Sequence, residues 1–302
     1  MLKVELKDGS NIEVNKGISA YEVAKQISDP EVIADQSQWQ MLIKEHAEIE
    51  PVVLKYKEYK NALKAIEDKK KKDKDKKEIY IDPKIYNATT IGSDEVGTGD
   101  YFGPIVVTCA YVNKENIKFL ESLGVKDSKK LTDEKIIEIV PQLIKKIPYE
   151  CIILSNEEYN QKYTVDINMN KIKAIMHNKV LTKMKEKHND IEYIVVDEFA
   201  KPFVYYNYLK QVPNYTKGIT FMTKGEDKCL SVACASLISR YIFLREFDKL
   251  GEKYNAFLVK GAGPKVDELG VKLVKTYGEE ILTKISKLNF KNTEKIKELA
   301  KN

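Results

Sequence analysis

The chain has 302 residues, 43% of them hydrophobic and 32% charged, enough to bury a sizeable core in one large domain with a small one beside it. Its 51 basic and 46 acidic residues leave a net charge of +5, too slight by itself to demand a polyanionic partner. No stretch approaches the roughly 20 apolar residues of a membrane span, and the start Met1-Leu2-Lys3-Val4-Glu5 lacks a signal peptide's apolar block, so a cytoplasmic protein with no membrane partner is expected.

Residues 1–68 read as a small α+β module. Asp8-Gly9-Ser10 is a turn between two alternating runs within residues 1–14, predicting a β-hairpin, and a short helix is expected over residues 20–27. Two helices broken near Pro51 should follow, to about residue 65. Residues 69–79 concentrate lysine, in Lys69-Lys70-Lys71-Lys72-Asp73-Lys74-Asp75-Lys76-Lys77. That tract is either a solvated linker or a holder of phosphate backbone by counterion release.

Residues 80–302 alternate strand and helix signals, the pattern of an α/β sheet with helices on its faces. A strand is expected over residues 105–112. Next, Asp127-Ser128-Lys129-Lys130-Leu131-Thr132 should cap an amphipathic helix reaching about residue 146. Residues 149–154 predict a strand, 168–188 a helix, 191–196 a β-branched strand ending at Asp197, 203–210 a helix, 219–223 a strand and 230–254 a long helix. Cys109, Cys151, Cys229 and Cys234 lack metal-ligand spacing and read as buried thiols, with neither disulfide nor zinc site.

The run Ile91-Gly92-Ser93-Asp94-Glu95-Val96-Gly97-Thr98-Gly99-Asp100-Tyr101-Phe102-Gly103-Pro104 carries the chemistry. Asp94 and Glu95 leave a strand into a glycine-spaced turn. Successive side chains on a regular strand face opposite ways, so the two carboxylates are expected to converge at a bend supplied by Gly92, Gly97 and Gly99. The bland alternative is a solvated acidic turn. Asp197, at the end of Ile194-Val195-Val196, stands where α/β sheets present ligand groups, or caps the helix that follows. Glu198 is expected to be exposed. His46, His177 and His188 sit on polar helical stretches and are read as surface residues, so no histidine base is expected.

This run closely resembles the signature of the type 2 family of ribonucleases H. Gly97-Thr98-Gly99 and Tyr101-Phe102-Gly103-Pro104 are similar to its ribonuclease HIII branch, whereas the HII branch carries arginine where Thr98 stands. The resemblance covers about residues 80–300. It implies a ribonuclease H-like mixed sheet flanked by helices, and a monomeric endonuclease that cuts the RNA strand of an RNA/DNA hybrid, leaving 5′-phosphate and 3′-hydroxyl ends. It also implies a pair of magnesium ions, with manganese as the alternative, held by Asp94, Glu95, Asp197 and Glu226, with Asp94 bridging both.

Glu226 follows from counting back from Ala235-Ser236 in Thr223-Lys224-Gly225-Glu226-Asp227-Lys228; Asp227 is the fallback ligand or a helix cap. By position in the family, Gly97, Thr98 and Gly99 would read the ribose 2′-hydroxyl, unless the turn is purely structural. Ser128, Lys129 and Lys130 match a family motif near the substrate backbone, against simple capping with exposed lysines. Lys224 is a candidate phosphate or carboxylate partner. Lys260-Gly261-Ala262-Gly263-Pro264 also resembles a segment of the HIII branch, with no role attached.

The opening residues resemble a TGS-type module, and the stretch that follows is similar to the N-terminal helical segment of class I peptide release factors. The TATA-binding-protein-like domain common in ribonuclease HIII relatives is not found in residues 1–68. Two rivals follow: a ribonuclease HII-like activity at single embedded ribonucleotides, and a non-catalytic RNA- or ribosome-binding protein.

Overall fold

The structure, a computed structural model, describes residues 2–5, 11–14 and 80–301. Contacts divide the chain into Met1–Glu78 and Ile79–Asn302. In the first unit, strands β1 (Leu2–Glu5) and β2 (Asn11–Val14) pair antiparallel, from Leu2 opposite Val14 to Glu5 opposite Asn11, as the two alternating runs predict. The helices expected between residues 20 and 65, the lysine tract and His46 lie outside the described residues.

The second unit runs α1 (Pro83–Tyr86), β3 (Thr90–Val96), β4 (Ile105–Val112), α2 (Ile117–Ser122), α3 (Asp133–Leu143), β5 (Tyr149–Leu154), α4 (Asn156–Lys162) and α5 (Met169–Lys187). It continues through β6 (Tyr193–Asp197), α6 (Pro202–Tyr208), β7 (Ile219–Met222), α7 (Leu230–Lys253), α8 (Pro264–Tyr277), α9 (Ile281–Ile285) and α10 (Asn292–Ala300). The sheet order is β5-β4-β3-β6-β7. Antiparallel ladders join β3 to β4 and β4 to β5, and parallel ladders join β3 to β6 and β6 to β7.

The strand β4, Ile-Val-Val-Thr-Cys-Ala-Tyr-Val, is buried at every position, because helices cover both sides of the sheet and apolar residues serve on either face. On one side Ala110 and Val112 meet Leu230, Ala233 and Leu237 of α7. On the other, Ile91, Val107 and Cys109 meet Met176, Val180 and Met184 of α5. Cys109, Cys229 and Cys234 are buried and Cys151 is partly exposed.

At Gly92 the helix α7 lies directly against the sheet. A β-carbon there would stand 2.4 Å from the backbone nitrogen of Val232 and 2.5 Å from the Ser231 hydroxyl. Its glycine therefore serves close approach, and the strand runs on regularly through Val96; the expected bend at Gly92 is absent.

The stretch ahead of α3 also departs from expectation. Val125–Lys130 forms a 3-10 turn, and the helix proper is shorter, Asp133–Leu143, capped by Thr132, whose hydroxyl accepts from the Lys135 N–H. Capping belongs to Thr132 because its extended backbone points the hydroxyl at the first turn.

A third cluster joins Tyr101 and Phe102 to Phe243 and Phe247 of α7 and to Val266 and Leu282 of the C-terminal helices. Lys287 is fully buried beside it, and burial pushes its ammonium down to about 7.

Candidate active site

The parallel register that sets Gly92 beside Val195 and Ser93 beside Val196 brings Asp94 level with Asp197, since the two strands advance together. Alternation then decides which way each acid faces. Asp94 turns toward α7, where its carboxylate is hydrogen-bonded by Ser236, its Oδ1 accepts from the Glu95 N–H at 2.8 Å, and its carbonyl accepts from the Ser239 hydroxyl at 3.2 Å. Burial pushes the Asp94 carboxyl well above its ordinary range, and the negative charges of Glu95 and Asp197 push it further.

Glu95 faces α5. Its Oε1 accepts from the Lys173 ammonium at 2.8 Å and its Oε2 is 2.9 Å from His177 Nε2. Burial alone would raise this carboxyl, but the hydrogen bond and charge of His177, together with Lys173, hold it at about 2. The two adjacent acids therefore straddle the sheet instead of converging at a bend.

Asp197 ends β6. Its Oδ1 accepts from the Gly225 N–H at 2.7 Å, and its carboxyl is hydrogen-bonded to Glu226. Burial raises it to about 6, and the charges of Glu226 and Glu95 act in the same direction, although the Gly225 N–H pulls the other way. Glu226 lies in the 3-10 turn Gly225–Asp227 that leads into α7, and Lys224 before it is in the left-handed region at φ 55° with its side chain exposed. Among the described residues no group of three or more His, Cys, Asp and Glu side chains forms a ready-made metal cage. What the fold does assemble is a row of acids in which burial, and then the charges of neighbouring carboxylates, raise two members: Asp94 under the influence of Glu95 and Asp197, and Asp197 under that of Glu226 and Glu95.

These residues fit a hard divalent cation. The donors are carboxylate oxygens, and the burial and neighbouring negative charges that raise Asp94 and Asp197 are the strain a cation relieves.

Gly97 takes φ 96°, and a β-carbon there would lie 2.2 Å from the Pro104 carbonyl, so this part of the turn needs glycine for its own shape. At Gly99 the opposite holds: a β-carbon would meet nothing within 4 Å, and the residue is exposed. Thr98 is half-buried between them. Ser128 is buried and its hydroxyl has no hydrogen-bond partner. Lys130 is exposed, and the turn Val125–Lys130 that carries it packs against the turn bearing Glu226. The side chain of Lys129 is outside what the structure describes. Lys260 pairs with Asp133, as does Arg240, and the Gly261 N–H donates to Asp100 Oδ1 at 2.6 Å.

Three expectations need correction. His177 is not on the surface: it is fully buried, with Nδ1 2.8 Å from the Ser93 hydroxyl and its ring stacked on Phe199. A polar helix face is solvated unless something buried satisfies it, and here Ser93 and Glu95 do so. His188 is half-covered by stacking on Tyr111, with ring centroids 3.8 Å apart. Glu198 keeps only 16% of its side chain exposed because it pairs with Lys201. Lys173 is the site residue that sequence reading missed altogether; it lies one helical turn before His177, a spacing that puts both on one face of α5, and its ammonium also sits 4.2 Å above the Phe199 ring.

The sequence model of a family described as Ribonuclease HII matches residues 91–293, and that of the PCRF domain matches residues 18–89. Ribonuclease HIII of Bacillus licheniformis is 45% identical over 225 residues, covering 74% of this chain and 72% of that protein. Ribonuclease HIII of Bacillus subtilis strain 168 is 47% identical over 218 residues, covering 72% and 70%. The crystal structure of Bst-RNase HIII in complex with Mn2+ aligns with a TM-score of 0.70 at 40% identity, over 72% of each chain. The five-stranded mixed sheet, the acids at the ends of its central strands and these matches over most of the chain have one reading: the chain belongs to the type 2 ribonuclease H family, which includes these ribonucleases HIII, and is a ribonuclease H enzyme.

Proposed function

We propose that the site formed by Asp94, Glu95, Asp197 and Glu226 cuts the RNA strand of RNA/DNA hybrids, as a monomer, using magnesium or manganese and leaving 5′-phosphate and 3′-hydroxyl ends. The observation that carries this reading is the electrostatic linkage of four carboxylates from three separate stretches of chain: Asp94 and Asp197 are pushed upward by burial and then by neighbouring acids, Glu95 and Asp197 acting on Asp94, and Glu226 and Glu95 on Asp197. Bound divalent ions supply, in this chemistry, an activated water and neutralisation of the charge on the phosphorane-like transition state. The protein's share is placement. Asp94 and Asp197 are fixed by Ser236 and by the Gly225 N–H, and Glu95 is held by Lys173 and His177. Oxygen donors are thus directed to both sides of the ends of β3 and β6.

Beyond the acids, the exposed and unobstructed Gly99 lets a sugar edge approach the turn closely, and Thr98 offers a hydroxyl there, the kind of contact that separates RNA from DNA. Ser128, Lys129, Lys130 and Lys224 would hold backbone phosphates. Thr98 stands where an HII-type enzyme carries arginine, which favours continuous hybrid over a single embedded ribonucleotide. Among the described residues no helix is long and apolar enough to cross a membrane.

The test is cleavage of an end-labelled hybrid beside double-stranded RNA, double-stranded DNA and a duplex with one ribonucleotide, each with Mg2+, Mn2+ or chelator. Metal-dependent cutting of the hybrid alone is expected. Efficient cutting at the single ribonucleotide would move the assignment to the HII type, and no cutting of any duplex would sink it.

A further inference from the structure

The loop after the glycine turn is shaped from outside itself. Its residues Asp100 to Gly103 make their polar contacts largely with the C-terminal segment. Lys287 Nζ donates to the Asp100 carbonyl at 2.7 Å and to the Gly103 carbonyl at 2.6 Å. The Lys287 N–H donates to the Tyr101 carbonyl at 2.9 Å and the Gly103 N–H to the Ile285 carbonyl at 3.0 Å. Asn156 Nδ2 donates to the Gly103 carbonyl as well, at 2.9 Å.

We propose that Lys287 is a positioning residue for the ribose-facing turn: it touches no substrate, and its buried ammonium ties together the two carbonyls that bracket Tyr101-Phe102, thereby setting where Gly97 to Gly99 stand relative to Asp94 and Glu95. Two carbonyls three residues apart point into the buried interior; Asn156 serves the Gly103 carbonyl as well, but Lys287 is the side chain that reaches both, with three hydrogens on a long stem. Gly103 is held at φ 82°, and a β-carbon there would lie 2.6 Å from the Phe247 ring, so this loop has no slack to find another shape. A lysine with no exposed surface is a costly choice for mere filling, since a leucine or methionine occupies the same space without desolvating a charge.

This inference rests on the ribonuclease reading above. It is tested with the full chain by Lys287→Met, which keeps the volume and removes the donors, and by Lys287→Ala with and without propylamine. Wild-type cleavage is read first, and its absence would overturn the ribonuclease reading and the positioning role together. Given wild-type cleavage, Lys287→Met should bind Mn2+ by calorimetry within about twofold of wild type, yet lose about tenfold in kcat/KM on the hybrid, chiefly through KM. Propylamine should restore Lys287→Ala several-fold and saturably, whereas propanol should not. Cleavage by Lys287→Met within about twofold of wild type would overturn the positioning role alone. Should Lys287→Met fail to fold, the amine experiment decides, and a Lys287→Ala protein indifferent to propylamine would overturn it.

Discussion

Replacing Asp94 by asparagine is expected to lower hybrid cleavage by about a thousandfold or more, because a ligand lost at the centre of a metal site removes stabilisation that exists only in the transition state. The same change should not cost stability. Asp94 is buried, its carboxyl pushed well upward first by that burial and then by Glu95 and Asp197, so the metal-free protein has a charge there that it would be better without. Asparagine keeps the shape, removes the charge and can still accept from Ser236 and from the Glu95 N–H. The variant should therefore melt at or above the temperature of the metal-free wild type while being almost inert, and it should lose most of the stabilisation that added Mg2+ gives the wild type. Activity loss with unfolding, or activity retained, would each contradict this account.

Lys173→Met should act in the opposite sense on stability. Lys173 and Glu95 form an ion pair with side chains 9% and 11% exposed, and removing one partner of such a pair leaves the other buried with less compensation, a loss of about 3 kcal/mol. His177 still bonds Glu95 Oε2, which keeps the cost below that of a wholly orphaned carboxylate. Urea unfolding of metal-free protein measures the loss. Adding Glu95→Gln to Lys173→Met should recover much of it, since the uncompensated charge is then gone, and a double-mutant cycle showing no coupling would refute the pairing. Hybrid cleavage by Lys173→Met should fall about 10- to 100-fold, the range for partners that orient a metal ligand.

How much of this could be read beforehand depends on how far apart the interacting residues lie. The strand β4 was legible because an unbroken apolar run has one economical use, a strand buried on both faces, and the end of β6 was legible because an acid terminates such a run. The resemblance of residues 91–104 to a known signature supplied Asp94 and Glu95. Their divergence was hidden, since it depends on the ladder continuing through Val96, which no local rule fixes. Lys173 and His177 were unreadable for a related reason: their partner Glu95 is 78 and 82 residues away, and without it a lysine and a histidine on a helix signify solvent. Lys287 is a further case, buried under carbonyls 184 and 187 residues earlier. Composition and period locate faces, and long-range polar partners decide which polar residues those faces bury.

The choice of Glu226 over Asp227 as the fourth acid, and the gathering of all four, meet one direct measurement: crystals soaked in Mn2+, with anomalous density located against the refined side chains. Density ligated by Asp94, Glu95, Asp197 and Glu226 is expected, with Glu95 still reached by Lys173 or His177. Density bound through Asp227, or a site lacking Asp94 and Asp197, would contradict it.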